Sequence, residues 1–324
     1  MTFPLNAYAF AFAGAFLASL ASLPLWRAWC RRTGHVDDPG HRKIHAEPVA
    51  LAGGLAVATG LFLPILAGVI AIQLGWLGPQ TTDLMSYGLG RRALELSTIL
   101  VGAAGMLGLG WLDDRHELSA APKFAGQILI ATLVAAAGVR VTLFVPNLAF
   151  SYTVTVLWML TVINAFNFMD NMNGLCAGLG VIAAAWFGLQ AALLGQYLVA
   201  TLALLSCGAL LGFLPYNYPK ATAFLGDAGS HLTGYLLAVM AILPHFYSKK
   251  HPHPWAVLTP LLVLAVPLAD LAWVVLLRWR MGQPFYVGDT NHLSHRLVRR
   301  GWSKPRAVLV IWLLAAVAGA LSLL

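Results

Sequence analysis

Residues 108–127, GLGWLDDRHELSAAPKFAGQ, join two apolar segments through a short polar stretch. Two adjacent aspartates, Asp113 and Asp114, stand where the first apolar segment ends, and Lys123 and Gln127 begin the second. A carboxylate pair at a membrane boundary must be paired, hydrated or bound to a cation, because charge is costly in an apolar environment. The stretch therefore predicts a boundary site for a cation or phosphate, with ordinary loop solvation as the alternative.

The composition of the chain places it in a membrane. Of 324 residues, 59% are hydrophobic and only 10% are charged, whereas a soluble domain carries about 25% charged residues. Apolar runs of about 17–25 residues recur, each long enough to cross a bilayer as a helix. We therefore predict an all-α polytopic membrane protein with about ten transmembrane helices (range 9–11) in one bundle, a single domain over residues 1–324. The predicted segments are 3–26, 49–74, 92–112, 123–138, 151–166, 174–194, 197–214, 228–245, 254–277 and 305–323.

The basic residues are unevenly distributed between the loops of this protein, whose net charge is +8. One alternating set of loops holds 15 of the 20 Lys and Arg residues, namely 27–48, 113–123, 167–173, 215–227 and 278–306. Because basic loops stay in the cytoplasm, this bias predicts that these loops are cytoplasmic and that both termini lie outside. The charge favours anionic lipid and phosphate ligands, and topology explains it without a nucleic-acid partner.

A second polar stretch, NAFNFMDNMNGLCAG, follows the fifth predicted segment. Asn164, Asn167 and Asp170 recur every three residues, so they share one face of a helix that Asn173-Gly174 ends. Amides and a carboxylate in so apolar a segment are costly to bury without partners. The stretch predicts a ligand site, and a cluster of hydrogen bonds between helices is the alternative.

A third stretch, FLGDAGS, places Asp227 between glycines at the start of a predicted helix. A carboxylate there suits a bound cation or a phosphate site, and a simple helix cap is the alternative. His231 fits a packing role better than a metal-binding role. Asp270, inside the ninth predicted segment, is a functional candidate because acids within membranes are costly, although the sequence indicates no partner for it.

Two basic loops belong to the same predicted side of the membrane. In the first, Lys43 and His45 stand in the cationic run RKIH. In the last, His292 and His295 are three residues apart, and Arg296 follows them. Lys, Arg and His donors at this density suit a phosphate or nucleotide ligand. A positive-inside anchor is the alternative for each loop.

Taken in order, these motifs resemble the polyprenyl-phosphate N-acetylhexosamine-1-phosphate transferase family, of the glycosyltransferase family 4 type. The likeness extends from about Asp38 to Trp302 and rests on RKIH with GG, GWLDD with KFAGQ, NAFNFMDNMNGL, FLGDAGS and the histidine loop. RKIH and the histidine spacing most resemble the bacterial undecaprenyl-phosphate GlcNAc-1-phosphate branch. The resemblance implies that a polyprenyl phosphate attacks the β-phosphorus of a UDP-N-acetylhexosamine, that UMP leaves, and that a lipid-diphosphate-sugar remains.

The resemblance also implies roles for single residues. Asp227 matches the Mg²⁺ ligand, with Asn167 near the metal, and Mn²⁺ is a possible substitute. Asp113 and Asp114 match the catalytic pair that handles the lipid phosphate, so the predicted catalytic set is these two with Asp227. The predicted substrate-binding residues are Lys43, His45, Lys123, Asn164, Asp170, Asn173, Gly174, His292, His295 and Arg296.

Two positions depart from the family's usual pattern. Asn173 stands where many bacterial members carry an aspartate, and Ser294 stands where the usual His-x-His-His motif has another histidine. The alternatives are therefore a phospho-MurNAc-pentapeptide transferase and a catalytically silent relative that binds nucleotide-sugar or lipid phosphate. A transporter is disfavoured, because its polar groups would lie near the bilayer midplane in repeated halves.

The resemblance implies partners and a location as well. The expected partners are a UDP-sugar, undecaprenyl phosphate and membrane lipid, with a homodimer as a possible assembly and no nucleic acid. The expected location is the bacterial inner membrane, with the active site on its cytoplasmic face. There the protein would carry out the first membrane step of cell-envelope polysaccharide synthesis.

Overall fold

The computed structural model describes residues 3–38, 47–76, 78–142, 145–244, 254–284, 286 and 289–323. Within them the chain is almost entirely helical. The helices are α1 (Leu5–Thr33), α2 (Gly53–Gln73), α3 (Pro79–Arg91), α4 (Ala93–His116), α5 (Ala120–Ala136), α6 (Leu148–Met169), α7 (Leu175–Leu193), α8 (Tyr197–Phe213), α9 (Gly226–Ile242), α10 (Thr259–Val263), α11 (Ala265–Arg280), α12 (Leu293–Arg299) and α13 (Lys304–Ala320). Two short strands, β1 (Val36–Asp37) and β2 (Val49–Ala50), form the described sheet.

The predicted all-α polytopic membrane class is confirmed, with fewer candidate spans among the described residues than the predicted number of about ten. Among the described residues, seven helices are long and apolar enough to cross a membrane, namely α1, α2, α4, α6, α7, α8 and α13. The bent pair α10 and α11 gives an eighth span if it is counted as one, and α5 is a shorter apolar helix. Every one of the predicted segments overlaps an observed helix, so the apolar runs located the helices of the bundle.

The ninth predicted segment differs from a single helix. Residues 254–277 contain α10 and α11, whose axes are bent by 68° at a break around Leu264. Pro267 explains the break, because its ring has no N–H to donate and would clash with the carbonyl group four residues earlier, that of Val263. The break brings Asp270 and Arg278, both on α11, to the histidine loop that follows it.

Helices α4 and α9 approach each other closely where their polar residues lie. A Cβ atom added at Gly110 would lie 2.6 Å from the Cα atom of Ala228. Glycine therefore permits a separation that a side chain would prevent. Because Asp113 follows Gly110 by less than one turn of α4, this contact brings the aspartate pair beside the start of α9.

A small β-hairpin connects the first basic loop to the segment before α9. Strands β1 and β2 are antiparallel, with Val36 opposite Ala50. Ala50 also forms a parallel bridge with Ala223, and the N–H of Phe224 donates to the Ala50 carbonyl at 2.9 Å. The sequence analysis did not predict this pairing. It brings the first loop to the same end of the bundle as Asp227.

Candidate active site

A lysine joins carboxylates from two different helices. The Lys123 ammonium, on α5, pairs with the Asp113 carboxylate of α4 and lies 3.4 Å from Oδ2 of Asp227 on α9. Oδ1 of Asp113 accepts the backbone N–H of Leu118 at 3.0 Å. The side chain of Asp113 is only 4% exposed, whereas that of Asp227 is 33% exposed. Asp227 is therefore the more accessible carboxylate of the pair.

An amide from α6 holds the second oxygen of Asp227. Nδ2 of Asn167 donates to Asp227 Oδ1 at 2.6 Å and lies 3.0 Å from the Ser230 hydroxyl oxygen. The structure thus brings together Asn167 and Asp227, the two residues predicted at the metal, as well as Lys123 and Asp113. These four residues form what we call the polar layer.

Asp114 caps α9 from a neighbouring helix. Its Oδ1 accepts the backbone N–H of Asp227 at 2.7 Å, and its Oδ2 accepts that of Ala228 at 3.0 Å. The first N–H groups of a helix have no carbonyl partner within it, so an external carboxylate satisfies them. The helix cap that the sequence offered as an alternative role for Asp227 is thus supplied by Asp114.

Glycine is required next to this cap. Gly226 has a φ of +71°, and a Cβ atom added there would lie 2.7 Å from Oδ2 of Asp114. A larger residue would be strained in this conformation and would also push the carboxylate away from the helix terminus. The FLGDAGS motif therefore depends on the glycine before Asp227 as well as on the aspartate itself.

The polar layer opens into a cavity of about 740 Å³ at one end of the bundle. The predicted site residues in its lining are Asp114, Asn167, Asp170, Asn173, Asp227 and His295. Burial and the carboxylates of Asp227 and Asp114 raise the pKa of Asp170 to about 8, against the effect of a hydrogen bond from the Gly226 N–H. The cavity is therefore less negative at neutral pH than the four aspartates in its lining, Asp37, Asp114, Asp170 and Asp227, would suggest.

Other predicted residues have different partners. Nδ2 of Asn164 donates to Oε1 of Gln127 and to the Leu160 carbonyl, both at 2.8 Å. The guanidinium of Arg296 lies 4.8 Å from the centre of the Trp273 ring. These contacts are structural, and they give Asn164 and Arg296 roles in packing. Their predicted contacts with substrate stay predictions.

Gly174 shapes the turn between α6 and α7. Its N–H donates to Asn217 Oδ1 at 2.6 Å, its φ is +78°, and a Cβ atom there would lie 2.7 Å from Cβ of Tyr218. This glycine brings Asn217 and Tyr218 to the cavity lining beside Asn173. Its predicted contact with the nucleotide stays a prediction.

The two predicted residues of the first loop, Lys43 and His45, lie outside the described residues. Asp37 and Val49, which lie within three residues of the ends of this gap at residues 39–46, both line the cavity. The loop therefore leaves and rejoins the described structure at the edge of the site. The predicted substrate contacts of Lys43 and His45 stay predictions.

Asp270 has a partner that the sequence did not indicate. Its Oδ2 lies 2.6 Å from Nδ1 of His292, and its Oδ1 accepts the backbone N–H of Leu293 at 2.6 Å. Asp270 and His292 are each about 5% exposed. Two features of the sequence could have indicated this pair. One is an acid inside a membrane segment, and the other is a histidine at the start of a short helix, 22 residues later.

A second acid–base pair holds the same loop. Nε of Arg278 donates to Asp289 Oδ2 at 2.7 Å, and the N–H of Asn291 donates to Asp289 Oδ1 at 2.6 Å. Burial alone would raise the pKa of Asp289, but the bonds from Arg278 and Asn291 lower it below its usual value. The guanidinium of Arg278 also lies 5.0 Å from the centre of the Phe168 ring.

The remaining residues of the histidine loop face α6 and the cavity. The Ser294 hydroxyl donates to Asn171 Oδ1 at 2.7 Å, and Ser294 is buried. His295 lines the cavity together with Lys304. Burial lowers the pKa of His295, and the neighbouring basic groups His292, Arg299 and Lys304 lower it further, which favours the neutral imidazole of His295.

Sequence analysis missed several residues of the cavity. Tyr218, Lys220 and Lys304 line it, and Asn217 does so while its Nδ2 donates to the Ala223 carbonyl at 3.0 Å. Lys220 and Lys304 stand in predicted cytoplasmic loops, where the positive-inside rule already explains a basic residue. Nothing in the sequence therefore distinguished them as residues of the site.

Comparisons with known proteins identify a family and several relatives of this chain. The model of the family "Glycosyl transferase family 4" matches residues 96–245. A probable undecaprenyl-phosphate N-acetylglucosaminyl 1-phosphate transferase of Bacillus subtilis (strain 168) is 33% identical over 312 residues, covering 93% of this chain and 81% of the relative. A decaprenyl-phosphate N-acetylglucosaminephosphotransferase of Mycobacterium tuberculosis (strain H37Rv) is 35% identical over 328 residues, covering 92% and 77%. An undecaprenyl-phosphate alpha-N-acetylglucosaminyl 1-phosphate transferase of Escherichia coli (strain K12) is 26% identical over 325 residues, covering 95% and 81%.

Proposed function

Because this chain belongs to the polyprenyl-phosphate N-acetylglucosaminyl-1-phosphate transferases of glycosyl transferase family 4, we propose that it transfers N-acetylglucosamine 1-phosphate from UDP-N-acetylglucosamine to undecaprenyl phosphate. The observation that carries this proposal is the polar layer, in which Lys123 and Asn167 hold Asp227 at the edge of a large cavity. A site that combines amides, lysines and carboxylates at the end of a membrane bundle suits two phosphate-bearing substrates together with a divalent cation, and one of those substrates is a lipid.

The reaction forms one bond and breaks one. An oxygen of the lipid phosphate attacks the β-phosphorus of the UDP-sugar, and the bond from that phosphorus to the bridging oxygen breaks, so that UMP leaves. The second pKa of a phosphate monoester is about 6, so the acceptor is already largely dianionic at neutral pH. A general base therefore has little to do, and the larger task is to hold two anions together.

Different residues of the site have different roles in holding the two anionic substrates together. Lys123 supplies positive charge next to the reacting phosphates, and Asp113 fixes the Lys123 ammonium through their ion pair. Asp114 uses both oxygens on the backbone of α9, so it acts by fixing the position of Asp227. Asp170 and Asn173 lie in the cavity wall where the nucleotide would bind.

A divalent cation fits the residues that are present. Among the described residues, no group of three His, Cys, Asp or Glu side chains is placed to hold a metal by itself. Mg²⁺ is usually held by one or two carboxylates together with water and substrate phosphates, so such a cage is not needed. Asp227, with Asn167 beside it, would hold Mg²⁺ or Mn²⁺. When bound, the cation would neutralise charge on the diphosphate.

The location of the site follows from its loops. The cavity is lined by residues of the basic loops 27–48, 215–227 and 278–306. The positive-inside rule places these loops in the cytoplasm and both termini outside. We therefore propose that the active site faces the cytoplasm from the bacterial inner membrane. The homodimer expected from the resemblance stays a prediction.

The experiment is UMP release by purified protein in detergent, with UDP-GlcNAc and undecaprenyl phosphate, with and without Mg²⁺. We expect release that requires lipid, metal and an intact Asp227, tested with Asp227→Ala. Release only from UDP-MurNAc-pentapeptide would replace the proposed donor with the alternative one. Silence of well-folded protein with every UDP-sugar would overturn the proposal and favour a binding relative.

A further inference from the structure

The histidine loop is attached to α11 by a buried carboxylate. Asp270 lies in a membrane segment, and its two oxygens contact the loop at consecutive residues, His292 and Leu293. Both contacts are 2.6 Å long. A carboxylate in a membrane segment is costly without partners, so this pair is a specific arrangement and not incidental contact.

The two hydrogen bonds of Asp270 differ in whether the partner atom must be the donor. The backbone N–H of Leu293 can only donate, so Oδ1 of Asp270 must accept. An ionised carboxylate also accepts at Oδ2, which requires a proton on Nδ1 of His292. The imidazole is then protonated on Nδ1, and Nε2 is the ring nitrogen left for other partners.

We propose that Asp270 is a positioning residue that keeps His292 protonated on Nδ1 and thereby leaves Nε2 as the nitrogen available to the substrate. The position of the proton on His292 is a property of the chain alone. The role of Nε2 rests on the proposed function, in which the donor diphosphate lies beside the histidine loop. Asp270 touches neither substrate in this arrangement and acts through His292.

The surroundings of the imidazole support a fixed orientation. The ring of Phe168 meets the His292 ring edge-on, with centroids 5.8 Å apart. His295, which lines the cavity, has its ring centroid 6.4 Å from that of His292. His292 is thus held between Asp270 of α11 and Phe168 of α6, next to His295, which lines the cavity.

Asp289 provides a matched control within the same loop. Like Asp270, it accepts a loop backbone N–H, that of Asn291, at 2.6 Å. Its other oxygen faces Nε of Arg278, a group that can only donate, so no choice of proton position is involved. Loss of Asp289 therefore weakens the attachment of the loop without changing the hydrogen-bond partner of His292.

The substitution Asp270→Asn should change which ring nitrogen of His292 carries the proton. The N–H of Leu293 still needs an acceptor, so the new amide should keep its oxygen there and turn its NH₂ group toward His292. An NH₂ group donates to Nδ1, which forces the proton of a neutral imidazole onto Nε2. The substitution should therefore reverse the protonation of the ring while keeping its shape.

The experiment is ¹⁵N NMR of histidine-labelled protein at neutral pH, with the His292 signal identified by its loss in His292→Gln. We expect a protonated Nδ1 in the unmodified protein and in Asp289→Asn, and an unprotonated Nδ1 in Asp270→Asn. An unprotonated Nδ1 in the unmodified protein would overturn the proposal, even if Asp270→Asn failed to fold. So would an unchanged signal in folded Asp270→Asn.

The kinetic readout separates this inference from the proposed function. If both hold, kcat/KM for UDP-GlcNAc should fall roughly 10–100-fold in Asp270→Asn, the range typical for loss of a carboxylate behind a functional histidine. A fall of the same size in Asp289→Asn would indicate that only loop attachment matters and would overturn the positioning role. Absence of turnover in the unmodified protein would refute the proposed function and leave the NMR result standing.

Discussion

The carboxylate of Asp114 accepts the backbone N–H of Asp227 at 2.7 Å, although the two residues are 113 positions apart in the chain. One member of the aspartate pair therefore fixes the helix that carries Asp227, which is more exposed than Asp113. The other member, Asp113, engages Lys123. Two adjacent and chemically identical residues thus have different roles, which substitution can separate.

Asp114→Asn should destabilise the protein more than Asp113→Asn. The new amide retains one acceptor for the two N–H groups at the start of α9, and its NH₂ group would face the other. A buried donor without a partner costs about 1–3 kcal/mol. In Asp113→Asn, Lys123 keeps Asp227 as a partner. Thermal unfolding in detergent measures the difference, and an equal fall in Tm for both variants would contradict the assigned cap.

Gly226→Ala should abolish most UMP release. The residue combines a φ of +71° with a Cβ position 2.7 Å from Asp114 Oδ2. Gly34→Ala is the matched control, because its φ is +72° and no described atom lies within 4 Å of its Cβ position. The backbone strain, about 1–2 kcal/mol, is shared by both variants. Equal UMP release by the two would show that contact with Asp114 is unimportant.

Asn167→Leu should lower the apparent affinity for Mg²⁺. Removal of the amide leaves Asp227 without its 2.6 Å donor and takes away a polar group beside the proposed cation. We expect the Mg²⁺ concentration for half-maximal UMP release to rise on the order of 10-fold. Ser230→Ala, which removes the other contact of the amide, serves as the control. An unchanged Mg²⁺ requirement in Asn167→Leu would remove Asn167 from the metal site.

Ser294→His, which restores the usual residue of the family motif, should reduce activity and stability. Ser294 is buried and donates to Asn171 at 2.7 Å, so an imidazole would be overpacked, at a cost of about 1–3 kcal/mol. Ser294→Ala should cost less, about 1 kcal/mol, because only the hydrogen bond is lost. A Ser294→His variant with unchanged Tm and higher turnover would show that the site has room for the third histidine.

His295 should make the protein less stable in mild acid. Its folded-state pKa is lowered, so protons bind the unfolded chain more readily than the folded one. Its contribution is therefore fully present above the unfolded pKa of about 6.5 and is lost as the pH falls below it. The fall in Tm between pH 7.5 and pH 5.5 should be smaller in His295→Gln. An identical fall would show that His295 contributes nothing to it.

Local properties of the chain made most of the helices predictable. An apolar run long enough to cross the bilayer must form a helix, because lipid offers no partner for its backbone groups. This argument located the ten predicted segments without reference to any contact. It failed at 254–277, where the composition is apolar throughout and Pro267 decides the bend. It also missed α3 and α12, which are too short or too polar to resemble spans.

The sequence by itself determined which residues could carry the chemistry. Asp113, Asp227, Asn167 and Lys123 were identifiable because charged and amide groups are rare and costly in such an apolar chain. Only the tertiary structure decided how they are paired. Asp114 holds the backbone of α9, and Asp270 holds His292, through contacts between residues far apart in the chain. Composition and spacing constrain neighbours in sequence, whereas a hydrogen bond depends on positions within about 3 Å, which the packing of helices fixes.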